Sequence, residues 1–373
     1  MMGELALRYP PQSLVVSTGA YADSAASDPR FPQPIDRIGI RATRLRTIQG
    51  LAMWTWRATA LAIKRDARFL WCAELKPAGY AARWVHALHG TPYGVIVYGT
   101  ELLLIDAKAR RSRFKHRMGR SILGKAAVIV AISRWTAELA REVLRLLDLD
   151  IPVETVPLGT TPSHFRPGLD ASGVRARYGL TGGPWLLTVA RLEWHKGIDT
   201  VMRALPAIRA AHPGTRYAVA GVGDRLPQLE RLQQELGLGD VVRFVGGVPD
   251  DELPALYNAA DLYVGVSRRH DLLAEGFGIS LVEASACGLA VVGGRSGGVP
   301  DAVREGETGI LVDPDDPAAV AAGVNELLAN PERRKQLGAA GRRAVESYYN
   351  WDRVAQDIIR IEASYSLASR AGR

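Results

Sequence analysis

Cysteine is nearly absent from the 373 residues: Cys72 and Cys287 stand far apart with no companion thiols. That excludes a disulfide scaffold and a thiolate zinc site, and it fits a reducing cytosol. No apolar run reaches the ~18–20 residues that a membrane-spanning helix needs. Residues 1–10 carry Glu4 and Arg8 and no cleavable apolar core, so no signal peptide is expected. Neither a repeat of solenoid period nor a low-complexity tract is present, which sets aside repeat and disordered architectures. Acid is missing from one stretch: none lies between Asp106 and Glu138, where Lys108, Arg110, Arg111, Arg113, Lys115, Arg117, Arg120 and Lys125 stand.

What is present is ordinary for a globular protein, with 47% hydrophobic and 23% charged residues. At ~100–200 residues per domain the length suggests two domains, each able to bury a core without staples. The net charge of +8 is uneven. Residues 1–158 hold 23 Lys and Arg against 13 Asp and Glu, a net of +10; residues 159–373 hold 24 against 26, a net of −2. The cationic stretch 108–125 reads either as a solvated helix face or as a surface for anionic partners such as phospholipid headgroups or a polyanion.

Short apolar runs alternate with amphipathic segments through the second half. Strands are expected at 185–190, 216–221, 241–246, 262–266, 289–292 and 309–312. Helices are expected at 198–211, 226–236, 252–260 and 317–329. The pattern predicts βαβ units and a buried parallel sheet with helices on both faces, a Rossmann-like arrangement. The first half alternates less clearly. Strands are expected at 14–17, 69–72, 93–98 and 127–132, and helices at 45–63 and 135–147, so it too is expected to be α/β. A boundary falls near 156–167, where three prolines in twelve residues disfavour helix. Domains are therefore expected at 1–158 and 159–350, with a C-terminal helix at 351–373 packing back on the first.

Parallel sheets bind ligands at the carboxyl ends of their strands. After the first strand of the second half come Arg191 and Lys196. After the second comes the turn Gly221-Val-Gly223-Asp224. After the fourth comes a loop holding Glu275, Gly276, Phe277 and Gly278, then a helix holding Glu283. Two cations with a helix N-terminus can hold a diphosphate without a metal, and two carboxylates eight residues apart can hold sugar or ribose hydroxyls. Taken singly, Arg191 and Lys196 are surface charges, the glycines a weak signal and Glu275 a loop acid; only the conjunction at successive strand ends carries weight.

These stretches, Ala190-Arg-Leu-Glu-Trp-His-Lys-Gly197, Gly221-Val-Gly-Asp224 and Glu275-Gly-Phe-Gly-Ile-Ser-Leu-Val-Glu283, resemble the family 4 retaining glycosyltransferases, also known as glycosyl transferases group 1. The likeness runs over about residues 120–355, through Phe244-Val-Gly-Gly-Val248, Leu256-Tyr-Asn-Ala-Ala-Asp261 and Gly297-Gly-Val-Pro300. It implies the GT-B fold, two facing Rossmann-like domains. By that resemblance Arg191 and Lys196 neutralise the donor diphosphate, and Glu275 lies near the donor sugar. The amides of Gly276, Phe277 and Gly278 meet sugar and phosphate, Glu283 binds ribose, and Gly221 and Gly223 line the nucleotide pocket. Fixed cations and amides suit a departing nucleoside diphosphate, whose charge grows as the glycosidic bond breaks. The resemblance also implies attack from the front face with the phosphate as base, so no protein nucleophile, no cofactor and no metal are expected.

Two departures stand out. Relatives open with a strand and a glycine-rich loop, whereas residues 1–10 here resemble the end of the first helix, so that strand and loop are expected to be lacking. Many relatives also carry a histidine that faces the donor sugar where Tyr98 stands here; a phenol can donate a hydrogen bond but cannot become a cation near neutral pH. The alternative for Tyr98 is packing at a strand end.

The leading expectation is a retaining glycosyltransferase moving a sugar, expected to be a hexose, from a nucleoside diphosphate to an acceptor hydroxyl of a glycan or lipid-linked glycan. It is expected to be cytoplasmic, with peripheral contact to an anionic membrane through 108–125. The alternative is a non-catalytic or truncated nucleotide-sugar binder of the same fold. An epimerase or phosphorylase on this fold is a third reading, and no motif supports nucleic-acid binding.

Overall fold

Aliphatic runs set between glycine and proline turns form parallel strands covered on both faces by helical crossovers, which is why they read as continuous apolar segments. The structure, a computed structural model, describes residues 2–20, 28–39 and 46–371. It divides into two units: Met1–Val156 with Trp351–Arg373, and Pro157–Asn350.

The first unit begins with α1 (Met2–Arg8), β1 (Val16–Gly19) and β2 (Ile35–Ile38). There follow α2 (Arg46–Lys64), β3 (Leu70–Cys72), α3 (Tyr80–His89), β4 (Tyr93–Val97), α4 (Thr100–Arg111) and α5 (Arg113–Leu123). It continues with β5 (Val128–Ala131), α6 (Arg134–Leu146) and β6 (Val153–Thr155). Its strands form two parallel sheets, β1–β2 and β3–β4–β5–β6. Among the described residues no ladder joins the two sheets. The helix that closes the chain, Trp351–Ala371, ties the pieces together. Its Glu362 accepts from Tyr9 Oη (2.9 Å) and Trp71 Nε1 (3.0 Å), and Arg8 Nε donates to Asp352 (2.6 Å).

The second unit runs α7 (Ser172–Tyr178), β7 (Trp185–Val189), α8 (Ile198–Ala211), β8 (Arg216–Ala220), α9 (Leu226–Glu235) and β9 (Val242–Gly246). Then come α10 (Leu253–Asn258), β10 (Leu262–Gly265), α11 (Ile279–Ala286), β11 (Val291–Gly294), α12 (Val299–Ala302), β12 (Gly309–Val312), α13 (Pro317–Ala329) and α14 (Pro331–Ser347). The closing helix is therefore α15. One six-stranded parallel sheet has the order β12–β11–β10–β7–β8–β9. The chain builds outward from β7 through β8 to β9, then returns beside β7 with β10 and builds the other way. A crevice opens where the winding direction reverses, at the carboxyl ends of β7 and β10. Leu186, Val201, Leu205, Val219, Val264 and Val292, all fully buried, form the core behind it.

Most element bounds differ from the sequence expectation by one or two residues. The strand expected at 289–292 lies at Val291–Gly294, because Gly288 turns left-handed (φ 80°) after α11 and Leu289 N donates back to Ala284 O at 3.0 Å. The strand expected at 14–17 is Val16–Gly19. Leu45, the first residue of an expected helix, lies outside the described residues. β2 and β6, of four and three residues, are too short to announce themselves by periodicity.

The proline-rich segment after β6 is held by α14. Arg342 Nη1 lies 3.0 Å from Pro162 O, 2.8 Å from Phe165 O and 2.8 Å from Ala286 O, and its Nε donates to Glu346 at 2.7 Å. One guanidinium thus satisfies carbonyls that proline-rich backbone cannot pair with itself. Arg342→Met keeps the stem and removes the donors, and is expected to cost about 2–3 kcal/mol in urea unfolding; an unchanged midpoint would refute this role.

Candidate functional site

The two loops that leave the reversal point carry Lys196 and Glu275. After β7 the chain makes a short 3₁₀ turn, Trp194–Lys196, that ends on Gly197 in the left-handed region (φ 68°). A Cβ there would sit 2.1 Å from Val266 O, so only glycine lets this turn press against the end of β10. Lys196 is thereby delivered to the loop after β10. Its Nζ donates to Glu275 Oε2 at 2.6 Å, and Ser267 Oγ donates to the same oxygen at 3.2 Å. Glu275 is fixed from behind as well. Gly297 (φ 56°) has no room for a Cβ, which would lie 2.3 Å from Glu275 O, and Gly298 N donates to that carbonyl at 2.8 Å.

Burial pushes the Glu275 carboxyl up, but the adjacent Lys196 ammonium, together with His195 and the Ser267 hydroxyl, holds the group below its ordinary value. Glu275 is therefore an anion beside a cation in a largely desolvated pocket, with side-chain exposures of 20% and 15%. An ammonium has three donors. One goes to Glu275, which leaves Lys196 able to hold a second anion without leaving its partner.

The other expected residues are distributed differently. Arg191 does not join this pair: its side chain is 70% exposed and its Nη1 pairs with Glu193 Oε1 at 2.6 Å. His195 is buried, with Nδ1 3.1 Å from Glu193 Oε2 but not aligned for a hydrogen bond; burial, then the Lys196 charge, lowers its pKa. Phe277 is buried and packs on Tyr349 with ring centroids 6.2 Å apart, so only its backbone is available to a ligand. Gly278 is left-handed (φ 102°) and starts α11. Glu283, on α11, accepts from Tyr257 Oη at 2.8 Å. Burial, reinforced by the Asp250 charge, pushes its carboxyl up to about 7.

Gly221 and Gly223 are also required by the packing of the chain itself. A Cβ on Gly221 (φ 142°) would lie 1.9 Å from Ala190 O, and one on Gly223 2.6 Å from Leu192 O. Their missing side chains make room for the neighbouring segment of this chain. Tyr98 belongs to the first unit, at the end of β4, where its N donates to the Glu101 carboxylate; burial, then the charges of Glu101 and Glu74, push its phenol up to about 12.

Three supports went unanticipated. Arg268, one residue past Ser267, donates from Nη2 to both carboxylate oxygens of Asp199 at 2.9 Å and from Nη1 to Thr200 Oγ1 at 2.5 Å, while its N donates to His195 O at 2.8 Å. It binds the β10 loop to the start of α8 and neutralises the acid there. Tyr257 orders Glu283. Tyr263 Oη donates to Val189 O at 3.2 Å and lies 2.7 Å from the Ser280 hydroxyl, which can donate to it, joining α11 to β7. An Arg–Asp pair 69 residues apart leaves no local signal. Among the described residues no group of three His, Cys, Asp or Glu side chains is arranged to hold a metal, and no helix is long and apolar enough to cross a membrane.

Two measurements test these electrostatics. Lys196→Met strands the Glu275 carboxylate and is expected to cost about 2 kcal/mol at pH 7, most of it recovered in Lys196→Met/Glu275→Leu. Additive losses in the double variant would refute the coupling. Glu283 holds its proton to a higher pH in the folded chain than in the unfolded one. Its contribution to stability is therefore present below its ordinary value of 4.5 and is lost as pH rises to about 7. Relative to wild type, Glu283→Gln should gain about 3 kcal/mol between pH 4.5 and pH 8 in urea unfolding; a pH-independent difference would contradict the shift.

Residues 175–344 match the family described as glycosyl transferases group 1. The chain is 38% identical over 235 residues to the GDP-mannose-dependent alpha-(1-6)-phosphatidylinositol monomannoside mannosyltransferase of Mycolicibacterium smegmatis, covering 62% of this chain and 61% of that protein. It is 35% identical over 278 residues to the D-inositol 3-phosphate glycosyltransferase of Acidothermus cellulolyticus, covering 68% of this chain and 60% of that protein. The matches thus span about three fifths of each relative's length. Among solved structures, Anabaena HepE in complex with UDP and glucose is similar, with a TM-score of 0.78 at 18% identity over 97% of this chain and 95% of that one, a likeness of fold.

Proposed function

Because residues 175–344 belong to the glycosyl transferases group 1 family, in a chain of GT-B fold, we propose that this protein transfers a hexose from a nucleoside-diphosphate sugar to an acceptor hydroxyl with retention of configuration. The observation that carries the reading is the Lys196–Glu275 pair at 2.6 Å, set at the reversal of the sheet and ahead of the N-terminus of α11. In this reading Lys196 and Arg191 receive the diphosphate, and Glu275 orients both Lys196 and the sugar. The amides of 276–278 meet sugar and phosphate oxygens, and Glu283 accepts from ribose hydroxyls. Arg191, exposed and paired with Glu193, is recruited when the donor binds. The cations assigned to the leaving group are side chains, so neither a metal nor a cofactor is required. Charge that builds on the departing diphosphate is met by groups already in place.

The relatives' names guide the choice of substrates. One is named for GDP-mannose, and both carry inositol in the name of the reaction, which makes GDP-mannose the first donor and an inositol phosphate or phosphatidylinositol glycan the first acceptor to try. An anionic acceptor agrees with the net of +10 on residues 1–158. The cations of 108–125 suit peripheral contact with an anionic membrane on the cytoplasmic side.

The full chain, given a panel of GDP-, UDP- and ADP-sugars, is expected to hydrolyse or transfer from one of them. Glu275→Ala and Lys196→Ala should each lower the rate about 100-fold. Undiminished activity in both variants would overturn the site assignment, and nucleotide binding without turnover on any donor would make the chain a sugar-nucleotide binder.

A further inference from the structure

Several of the least covered apolar side chains among the described residues gather on one region of the first unit. Trp56 is 69% exposed, Leu88 67%, Ile63 60% and Trp84 48%. On α2, Met53, Trp56, Ala60 and Ile63 recur at three- and four-residue steps and are all exposed, so they form one stripe along the helix. The other side of α2 is occupied, with Arg57 paired to Asp36 of β2 and Ala62 buried. A groove of about 410 Å³ opens between α2 and α3, lined by Leu51, Thr55, Trp56, Thr59, Trp84 and Leu88. A contiguous apolar face with two exposed tryptophans is not an ordinary solvent-facing surface; it marks a place where something else is bound.

Cations carried by the same unit point to what. Arg83 lies over the Trp84 ring at 5.8 Å, and Lys115 over the exposed Phe114 ring at 5.7 Å. Lys76, on the turn that leads into α3, has an ammonium lowered first by burial and then by the charges of Lys108 and Lys115, so the three cations share one neighbourhood. Residues 46–125 hold 15 Lys and Arg against 4 Asp and Glu, and none of the groove-lining residues is acidic. Tryptophan and phenylalanine flanked by lysine and arginine suit the boundary between lipid headgroups and acyl chains, where an aromatic ring meets hydrocarbon and a cation meets phosphate. A second copy of the chain is a poor occupant, since a self-complementary contact would bring two such cationic surfaces together.

We propose that this face of the first unit docks on an anionic lipid bilayer, with Trp56, Trp84 and Leu88 entering the headgroup–acyl boundary and Lys76, Lys108 and Lys115 lying over anionic headgroups. The inference rests on the membrane contact proposed for 108–125 and adds its apolar half. It commits to the bilayer itself rather than to an acceptor molecule.

The test is sedimentation of the full chain with vesicles of phosphatidylglycerol and phosphatidylcholine, against vesicles of phosphatidylcholine alone, at two salt concentrations. Wild type is expected to bind the anionic vesicles and to be released by salt. Trp56→Ser/Trp84→Ser/Leu88→Ser should lower the partition coefficient at least about tenfold. Lys108→Gln/Lys115→Gln should lower it roughly fivefold per charge. Far-UV circular dichroism checks that each variant is folded, and acyl-brominated lipid should quench the tryptophan fluorescence of unaltered wild type. If the serine variant binds as wild type while the glutamine variant does not, the groove proposal fails and the electrostatic contact stands. If wild type ignores anionic vesicles, both fail. A concentration-dependent dimer abolished by the serine substitutions, without vesicle binding, assigns the groove to a second copy and overturns the proposal. No arm uses a sugar donor, so none of these outcomes bears on the transferase reading.

Discussion

The reversal of winding between β7 and β10 is the constraint on which the second unit's chemistry depends. Two parallel strands that lie side by side but send their crossovers in opposite directions leave a space over their carboxyl ends that no helix fills. The loops from both strands open into that space, one bringing a lysine and the other a glutamate. Their meeting at 2.6 Å is a product of topology, since 79 residues separate them along the chain. Gly197 and Gly297 are the local conditions of that meeting, each allowing backbone to approach where any side chain would collide.

The same loops show how one sheet edge can hold two carboxylates in opposite electrostatic states. Glu275 has an ammonium beside it and is held as an anion. Glu283, eight residues on, is buried against a tyrosine hydroxyl with the Asp250 charge of like sign nearby, and keeps its proton to about pH 7. A group that is readily neutral suits hydrogen bonding to hydroxyls, and one that is firmly charged suits the orientation of a cation. The distinction arises from surroundings that converge only in the folded chain.

Much of the second unit was legible because strands buried on both faces leave uninterrupted aliphatic runs, and because a parallel sheet confines ligand chemistry to the loop just past each run. Lys196 and Glu275 could be picked out on that ground. The reason for Gly221 and Gly223 could not, because a missing side chain looks the same in sequence whether a ligand or a neighbouring segment takes the space. The Arg268–Asp199 tie depends on a tertiary neighbour, and the pairing of Arg191 with Glu193, though local, is not announced by residue type alone. In the first unit, three- and four-residue strands fall below the length at which alternation is visible. The exposed stripe of α2 is also ambiguous in sequence, since a helical apolar stripe does not say whether protein or another phase covers it.

The closing helix has a consequence for how the molecule is made. α15 is covalently downstream of the whole second unit, yet its Glu362 joins Tyr9 and Trp71 of the first. The second unit is therefore inserted in sequence within the first, which is closed only by residues made after the whole second unit. During synthesis the sheet containing β7 can assemble as soon as α14 emerges, while Tyr9 and Trp71 still lack their common hydrogen-bond acceptor. The order of maturation runs against the order of translation, and the early-made half spends longest with its contacts incomplete.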